Sequence, residues 1–249
     1  MPNRHVSDAS SGSFKSAFQI IQTVKRPWEH SFCVLLLGIL GIGLPYLLSN
    51  WMNSTREFHF APYLDIELQI PRINWMIIPY VSAYLMGLAS LPVLPFLAQK
   101  ALTKAMIVAG IFGGIFFMIC PTELGYLRNH DGLGAWLPFY QILWSLDHPY
   151  NLTPSMHVTM AYLMMVPVIQ VCQSRLTKWI LGLWLFSVCI SIILVHQHHV
   201  IDFVTGFLLG WLCDIFIYRR AVIAYASDMV WSANVDSGNQ RHDHDKDAA

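Results

Sequence analysis

Two short polar stretches stand out in an apolar chain: Thr153-Pro154-Ser155-Met156-His157 and His196-Gln197-His198-His199-Val200-Ile201-Asp202. His198 and Asp202 are four residues apart, the spacing that stacks two side chains on one helix face. A carboxylate accepting from one imidazole nitrogen fixes the tautomer and leaves the other nitrogen basic. That is the nucleophile-and-orienter half of a covalent site. In the first stretch Thr153 reads as a helix cap, with Pro154 at the first helical position and Ser155 and His157 in the first turn. Free N–H groups and the positive end of the helix dipole suit a phosphate there. Ser155 adds a hydroxyl, and His157 a proton for a departing oxygen. Each stretch alone has a plainer explanation: Asp202 suits a helix start, and the other stretch suits a capped helix with an incidental histidine. Together they describe phosphoryl transfer, in which one histidine attacks phosphorus and the other protonates the leaving alcohol. Arg128 is the only basic residue between positions 121 and 154 and is the candidate to neutralise phosphate oxygens.

Such residues must be held by something, and the composition says what. The chain is 55% hydrophobic and only 12% charged, against about 25% charged in soluble domains. Mean hydropathy is +0.47. Net charge is zero, which gives no electrostatic footprint for nucleic acid. Six apolar segments follow one another at 32–50, 75–97, 103–120, 155–173, 178–195 and 200–218, near the length of about 20 residues that a spanning helix needs. The expected fold is an all-α, polytopic integral membrane bundle of about six helices, because a bilayer leaves no water for unpaired backbone groups. The runs do not alternate as barrel strands would.

Lys and Arg set the orientation. The cations at 4–26, 100–104, 175–178, 219–220 and 241–246 fall on one side; Arg56, Arg72 and Arg128 alone fall on the other. Both termini are therefore expected in the cytoplasm. Loops 51–74 and 121–154, the turn near 196–199, and both polar stretches fall on the non-cytoplasmic face. The expected location is the plasma (inner) membrane. Residues 1–30 read as a polar cytoplasmic segment without a signal peptide, 31–220 as the catalytic membrane domain, and 221–249 as a polar, disordered tail. In that tail Arg241-His242-Asp243-His244-Asp245 reads as solvated chain rather than a metal site. Trp136 and Trp144 suit a headgroup-level belt. The five cysteines lie in or beside apolar runs without paired or metal-type spacing.

Pro154-Ser155-Met156-His157, with His198 and Asp202 about 40 residues on, resembles the type 2 phosphatidic acid phosphatase superfamily. Its members combine a Pro-Ser-x-His motif with a His-x-x-x-Asp motif on a helical core. Asp65 with Ile70-Pro71, and Asp147-His148-Pro149-Tyr150-Asn151, resemble the branch of inositol phosphorylceramide and sphingomyelin synthases. The resemblance spans roughly residues 60–218. It implies that His198 forms a phosphohistidine, Asp202 orients it, His157 is the general acid, and Ser155 and Arg128 hold the phosphate. It implies no cofactor and no metal, and a lipid phosphate as substrate. Two cations of the family's phosphatases are missing. Asn129 follows Arg128 where a proline is usual, and no lysine precedes it at the family spacing. Ile192 stands where an arginine is usual, and Lys25-Arg26-Pro27 falls on the other side. His196 and His199 are the candidates to compensate.

The leading expectation is thus an integral membrane lipid phosphatase. Transfer to an alcohol, as in inositol phosphorylceramide synthases, uses the same intermediate and stays open. Two other classes also stay open: a metal-binding or transport protein using His157, His196, His198, His199 and Asp202 as ligands, and an inactive scaffold of the same fold.

Overall fold

The computed structural model describes residues 14–24 and 28–247, with side chains through residue 234. Most of the expected N-terminal segment, with Arg4, Lys25 and Arg26, lies outside the described residues, as do the side chains of the Arg241–Asp245 motif. Residues 14–21 form a helix, α1. It is followed by α2 (Trp28–Asn53), α3 (Ile77–Ser90), α4 (Phe96–Ile119), α5 (Leu137–Leu146), α6 (Met156–Val171), α7 (Arg175–Leu194), α8 (Val200–Cys213) and α9 (Arg219–Asp247). The described chain is an all-α bundle with no strand beyond a single bridge, Phe60 to Thr122. Four helical stretches are long and apolar enough to cross a membrane: α2, α4, α7 and the run Val200–Asn234. Their outward faces carry exposed leucine, isoleucine and phenylalanine, among them Leu37, Leu44, Ile115, Leu183 and Phe186. A water-soluble domain would not display such a continuous apolar surface.

The second and third expected segments divide differently. α3 stops at Ser90, because Pro92 and Pro95 lack the N–H donors a helix needs. α4 begins at once at Phe96, with Pro95 as its N-cap residue, several residues before the expected 103. α3 has 14 residues, about 21 Å of helix, which falls short of the hydrocarbon thickness of about 30 Å. Three further departures concern the loops and the tail. The 121–154 connection contains α5, a short helix with proline near its N-terminus. A π-turn, Asp214–Tyr218, joins α8 to α9. From 221 to 247 the chain is helical rather than an unstructured tail. Its first turns are apolar, and Ala221, Val222 and Ala226 pack into the core, so burial holds what the polar end alone would not.

Close helix crossings keep the bundle compact. α2 lies on α4 at Gly41 and Gly110, and a methyl group at Gly110 would collide with the Gly41 carbonyl. Small residues at such crossings let backbones meet where lipid gives helices no hydrophobic reason to associate. The Thr103 hydroxyl donates to the Val34 carbonyl at 2.7 Å across the same pair. Trp184 of α7 donates to the Ser82 hydroxyl of α3 at 2.7 Å. All the long connections gather at one end of the bundle. Arg56 donates to the Met118 carbonyl, the Ile73 N–H to Leu194, and the Phe60 N–H to Pro121. Both polar stretches lie at this end.

Replacing Gly110 by Ala should separate α2 from α4. We expect a loss of about 1–3 kcal/mol, read as a lower thermal unfolding midpoint in detergent. An unchanged midpoint would show that the crossing carries little of the fold's stability.

Candidate active site

α8 begins with His199 as its N-cap residue, so His198 sits just before the helix and Asp202 in its first turn. The i, i+4 spacing still works. His198 Nδ1 lies 3.4 Å from Asp202 Oδ2. Asp202 is fully buried and collects further donors. The His199 N–H donates to Oδ2 at 2.8 Å, and the Thr153 hydroxyl donates to Oδ1. Nδ1 faces the carboxylate at an ion-pair distance without a hydrogen bond of good geometry; with its proton there, His198 keeps a lone pair on Nε2. It stands 3.4 Å from Ser155 Oγ.

The first stretch is arranged differently from its sequence reading. The N-cap of α6 is Ser155, not Thr153, and its oxygen accepts from the Val158 N–H. Pro154 precedes the helix, joined to Thr153 by a cis peptide bond. Thr153 lies before the cap, and its hydroxyl donates to Asp202. The Ser155 N–H donates to the Asp202 carbonyl at 3.0 Å, and Thr159 donates to the carbonyls of Ser155 and Gly206 at 2.9 Å each. Gly206 permits this contact, since any side chain there would strike the Ser155 carbonyl. One backbone bond and the Thr159 hydroxyl thus tie the starts of α6 and α8 together.

His157 Nε2 lies 2.9 Å from the Tyr80 carbonyl. A carbonyl only accepts, so Nε2 carries a proton and Nδ1 is left for proton exchange. The ring stacks on Tyr80 with centroids 4.1 Å apart and planes at 10°, and meets Tyr84 edge-on. His157 and His198 line one cavity of about 450 Å³ with Tyr46, Tyr80, Tyr84 and Asp147. Its remaining wall is apolar and comes from α2, α3, α5 and α6. Leu47, Ile142 and Leu146 at its edge are exposed on the bundle's apolar flank.

Arg128 stands behind this cavity. It donates to the Asp147 carbonyl at 2.7 Å and to Gln197 Oε1 at 3.0 Å, while its Nε is buried without a hydrogen-bond partner. Burial lowers its pKa and the neighbouring Asp147 raises it; a guanidinium remains charged regardless. The structure thus brings His198, Asp202 and Ser155 into contact, sets His157 on the same cavity, and holds Arg128 one residue away through Gln197.

His196 and His199 do not line the cavity of His157 and His198. The Gly125 N–H donates to His199 Nε2 at 3.0 Å, which requires that nitrogen to be unprotonated. Nδ1 then faces Glu67 Oε2 at 3.5 Å. Burial pushes the pKa of both histidines down. His196 lines a separate depression with Arg72, Asn129 and Asp131. Both rings are held in an aromatic stack. Tyr63, His199, Tyr126 and His196 stack in succession, with centroids 3.9–4.8 Å apart. Glu67 accepts from the Val200 N–H at 2.8 Å, filling a donor left open at the start of α8. Sequence reasoning missed Glu67 and quoted Asp65 instead, which is exposed. The nearest signal was an acid in a loop assigned to the same face. Among the described residues, no group of three or more His, Cys, Asp or Glu is placed to hold a metal ion.

Glu67→Ala strips the acceptor from the Val200 N–H and removes the carboxylate that faces His199. It should cost about 1–3 kcal/mol, seen as a lower unfolding midpoint, with activity falling as the start of α8 loosens. A midpoint equal to that of the unmodified protein would contradict this role.

The PAP2 superfamily model matches residues 101–224. The matched span holds Arg128, Ser155, His157, His198 and Asp202, and supports a phosphatase- or phosphotransferase-type function. No curated protein matches the chain.

Proposed function

We propose that this chain, with its PAP2 superfamily match over residues 101–224, is an integral membrane phosphatase. It would release the phosphoryl group of a lipid phosphate through a phosphohistidine on His198. The observation that carries the reading is the cavity that His157 and His198 share, lined also by Tyr46, Tyr84 and Asp147 and by apolar side chains that reach the bundle's exposed flank. A lipid can place its phosphate between the histidines and leave its chains among the exposed side chains of α2, α3 and α5.

The steps follow from the two tautomers. His198 Nε2 donates its lone pair to phosphorus and the P–O ester bond breaks. The departing alkoxide takes the proton from His157 Nδ1, the imidazolium thereby becoming neutral. Asp202 stabilises the positive charge that develops on His198. Ser155 and Arg128 hold the phosphate oxygens, a role supported by the closeness of Ser155 Oγ to Nε2 and by the unpaired Nε of Arg128. Water then gives a proton to His157 Nδ1 and attacks phosphorus. The P–N bond breaks, and inorganic phosphate and neutral His198 are regenerated. An alcohol entering in place of water would give a phosphodiester, the reaction of the synthase branch. Asp147, an acid within the phosphate cavity, favours keeping that second reading.

The site faces the non-cytoplasmic side in this account, because the cations at the opposite end obey the positive-inside bias. Two experiments check it. Detergent-purified protein should release phosphate from a panel of lipid phosphates. His198→Ala and His157→Ala should each lose at least about 100-fold, the scale of one acid–base group. Equal rates in the unmodified protein and His198→Ala would end the mechanism. In a cysteine-free background, Leu127→Cys, which is 85% exposed, should react with an impermeant thiol reagent in intact cells. Gln173→Cys should react only after lysis. The reverse pattern would invert the topology.

A further inference from the structure

Asp147 is the only acid among the residues lining the cavity of His157 and His198. A carboxylate beside a phosphate site is unfavourable twice over: it repels the phosphate, and burial penalises its charge. Burial does push its pKa up, while the Tyr46 hydroxyl and the nearby His198 and Arg128 pull it back. Tyr46 donates to Oδ1 at 2.5 Å. Arg128 bonds the backbone carbonyl of Asp147 and not its carboxylate. Among the described residues, none donates a hydrogen bond to Oδ2.

The simplest explanation, a strut between α2 and the loop, does not require an acid. Other bonds already tie that loop to α2. Asn50 donates to the His148 carbonyl at 2.8 Å, Asn53 to Asn151 Oδ1 at 2.8 Å, and Asn151 to the Tyr46 carbonyl at 3.0 Å. A neutral residue at 147 could receive the Tyr46 bond equally well. What the strut leaves unexplained is a carboxyl group with an open oxygen, inside the cavity of His157 and His198. Its natural partner is a hydrogen-bond donor carried by a ligand. A hydroxyl needs only the one acceptor.

We propose that Asp147, oriented by Tyr46, recognises a free hydroxyl on a reacting molecule. That hydroxyl is either one borne by the lipid backbone near its phosphate or that of an incoming acceptor alcohol. The inference rests on the phosphoryl-transfer reading of the cavity, but its test does not require turnover. Binding is measured on the full chain carrying His198→Ala, with two pairs of lipid phosphates that differ by one hydroxyl. These are lysophosphatidic acid with its 2-deoxy analogue, and ceramide 1-phosphate with its 3-deoxy analogue. Glycerol and myo-inositol are then titrated into protein saturated with a deoxy lipid.

A hydrogen bond to a charged group predicts that the hydroxylated member of a pair binds roughly 10- to 100-fold tighter. Adding Asp147→Asn should abolish most of that preference, and Tyr46→Phe should reduce it. The unfolding midpoint of each variant shows that the fold persists. Equal binding within both pairs, together with Asp147-dependent binding of an alcohol, assigns the hydroxyl to the acceptor. Equal binding within both pairs, with no alcohol binding that depends on Asp147, overturns the proposal. If the protein with His198 intact still releases phosphate in that case, the phosphatase reading stands without the subsite. An Asp147-dependent hydroxyl preference in a protein that turns over no lipid phosphate would keep the subsite and remove the reaction.

Discussion

A buried carboxylate in an apolar bundle must be surrounded by donors, and Asp202 is where this chain meets that requirement. Its two oxygens receive the Thr153 hydroxyl and the His199 N–H, and face His198 Nδ1. These three partners belong to the loop before α6, the cap of α8 and the candidate nucleophile. Satisfying one charge therefore fixes where two helices start and how one imidazole is turned. In so dry a place an unpaired charge would be expensive. The need for donors is thus itself what organises the site. Gly206 and the Ser155 backbone let α8 come close enough for the arrangement to exist.

Around that centre the fold uses polar ties where lipid supplies no hydrophobic drive. Tyr46, Asn50 and Asn53 lie along one face of α2 at helical spacing, and each bonds the 147–151 loop. The stack of Tyr63, His199, Tyr126 and His196, pinned by Glu67, holds the other flank. The PAP2 match begins at residue 101, yet α2 and the 60–70 loop lie before it. One supplies a wall of the cavity of His157 and His198 and the other a cap of α8.

Much of this was legible in the sequence. Long apolar runs with cations at alternate ends announce membrane helices. His198 and Asp202 were readable from spacing alone, and the meeting of the two polar stretches at one end from the placement of Lys and Arg. What spacing cannot convey is which partner a side chain selects. Thr153 looked like a cap because a threonine before a proline usually is one, but Asp202 competes for its hydroxyl, and Ser155 caps instead. Pro92 and Pro95 were visible, yet hydropathy averaged across them and merged α3 with the turn. The contributions of Tyr46 and Glu67 depend on contacts across about 100 and 130 residues of chain, which no local pattern encodes. The helix beyond 221 was hidden by the polar composition of its far end.

The central claim is that His198 Nε2 bonds to phosphorus. The most direct measurement is to mix purified protein with a lipid labelled at its phosphate, quench in alkali within the first turnovers, and locate the label. The account predicts a label stable to base and lost in acid, as a phosphoramidate must be. It should map to the peptide that holds His198 and be absent from His198→Ala. Label on a serine or carboxylate, or an undiminished label in His198→Ala, would contradict it.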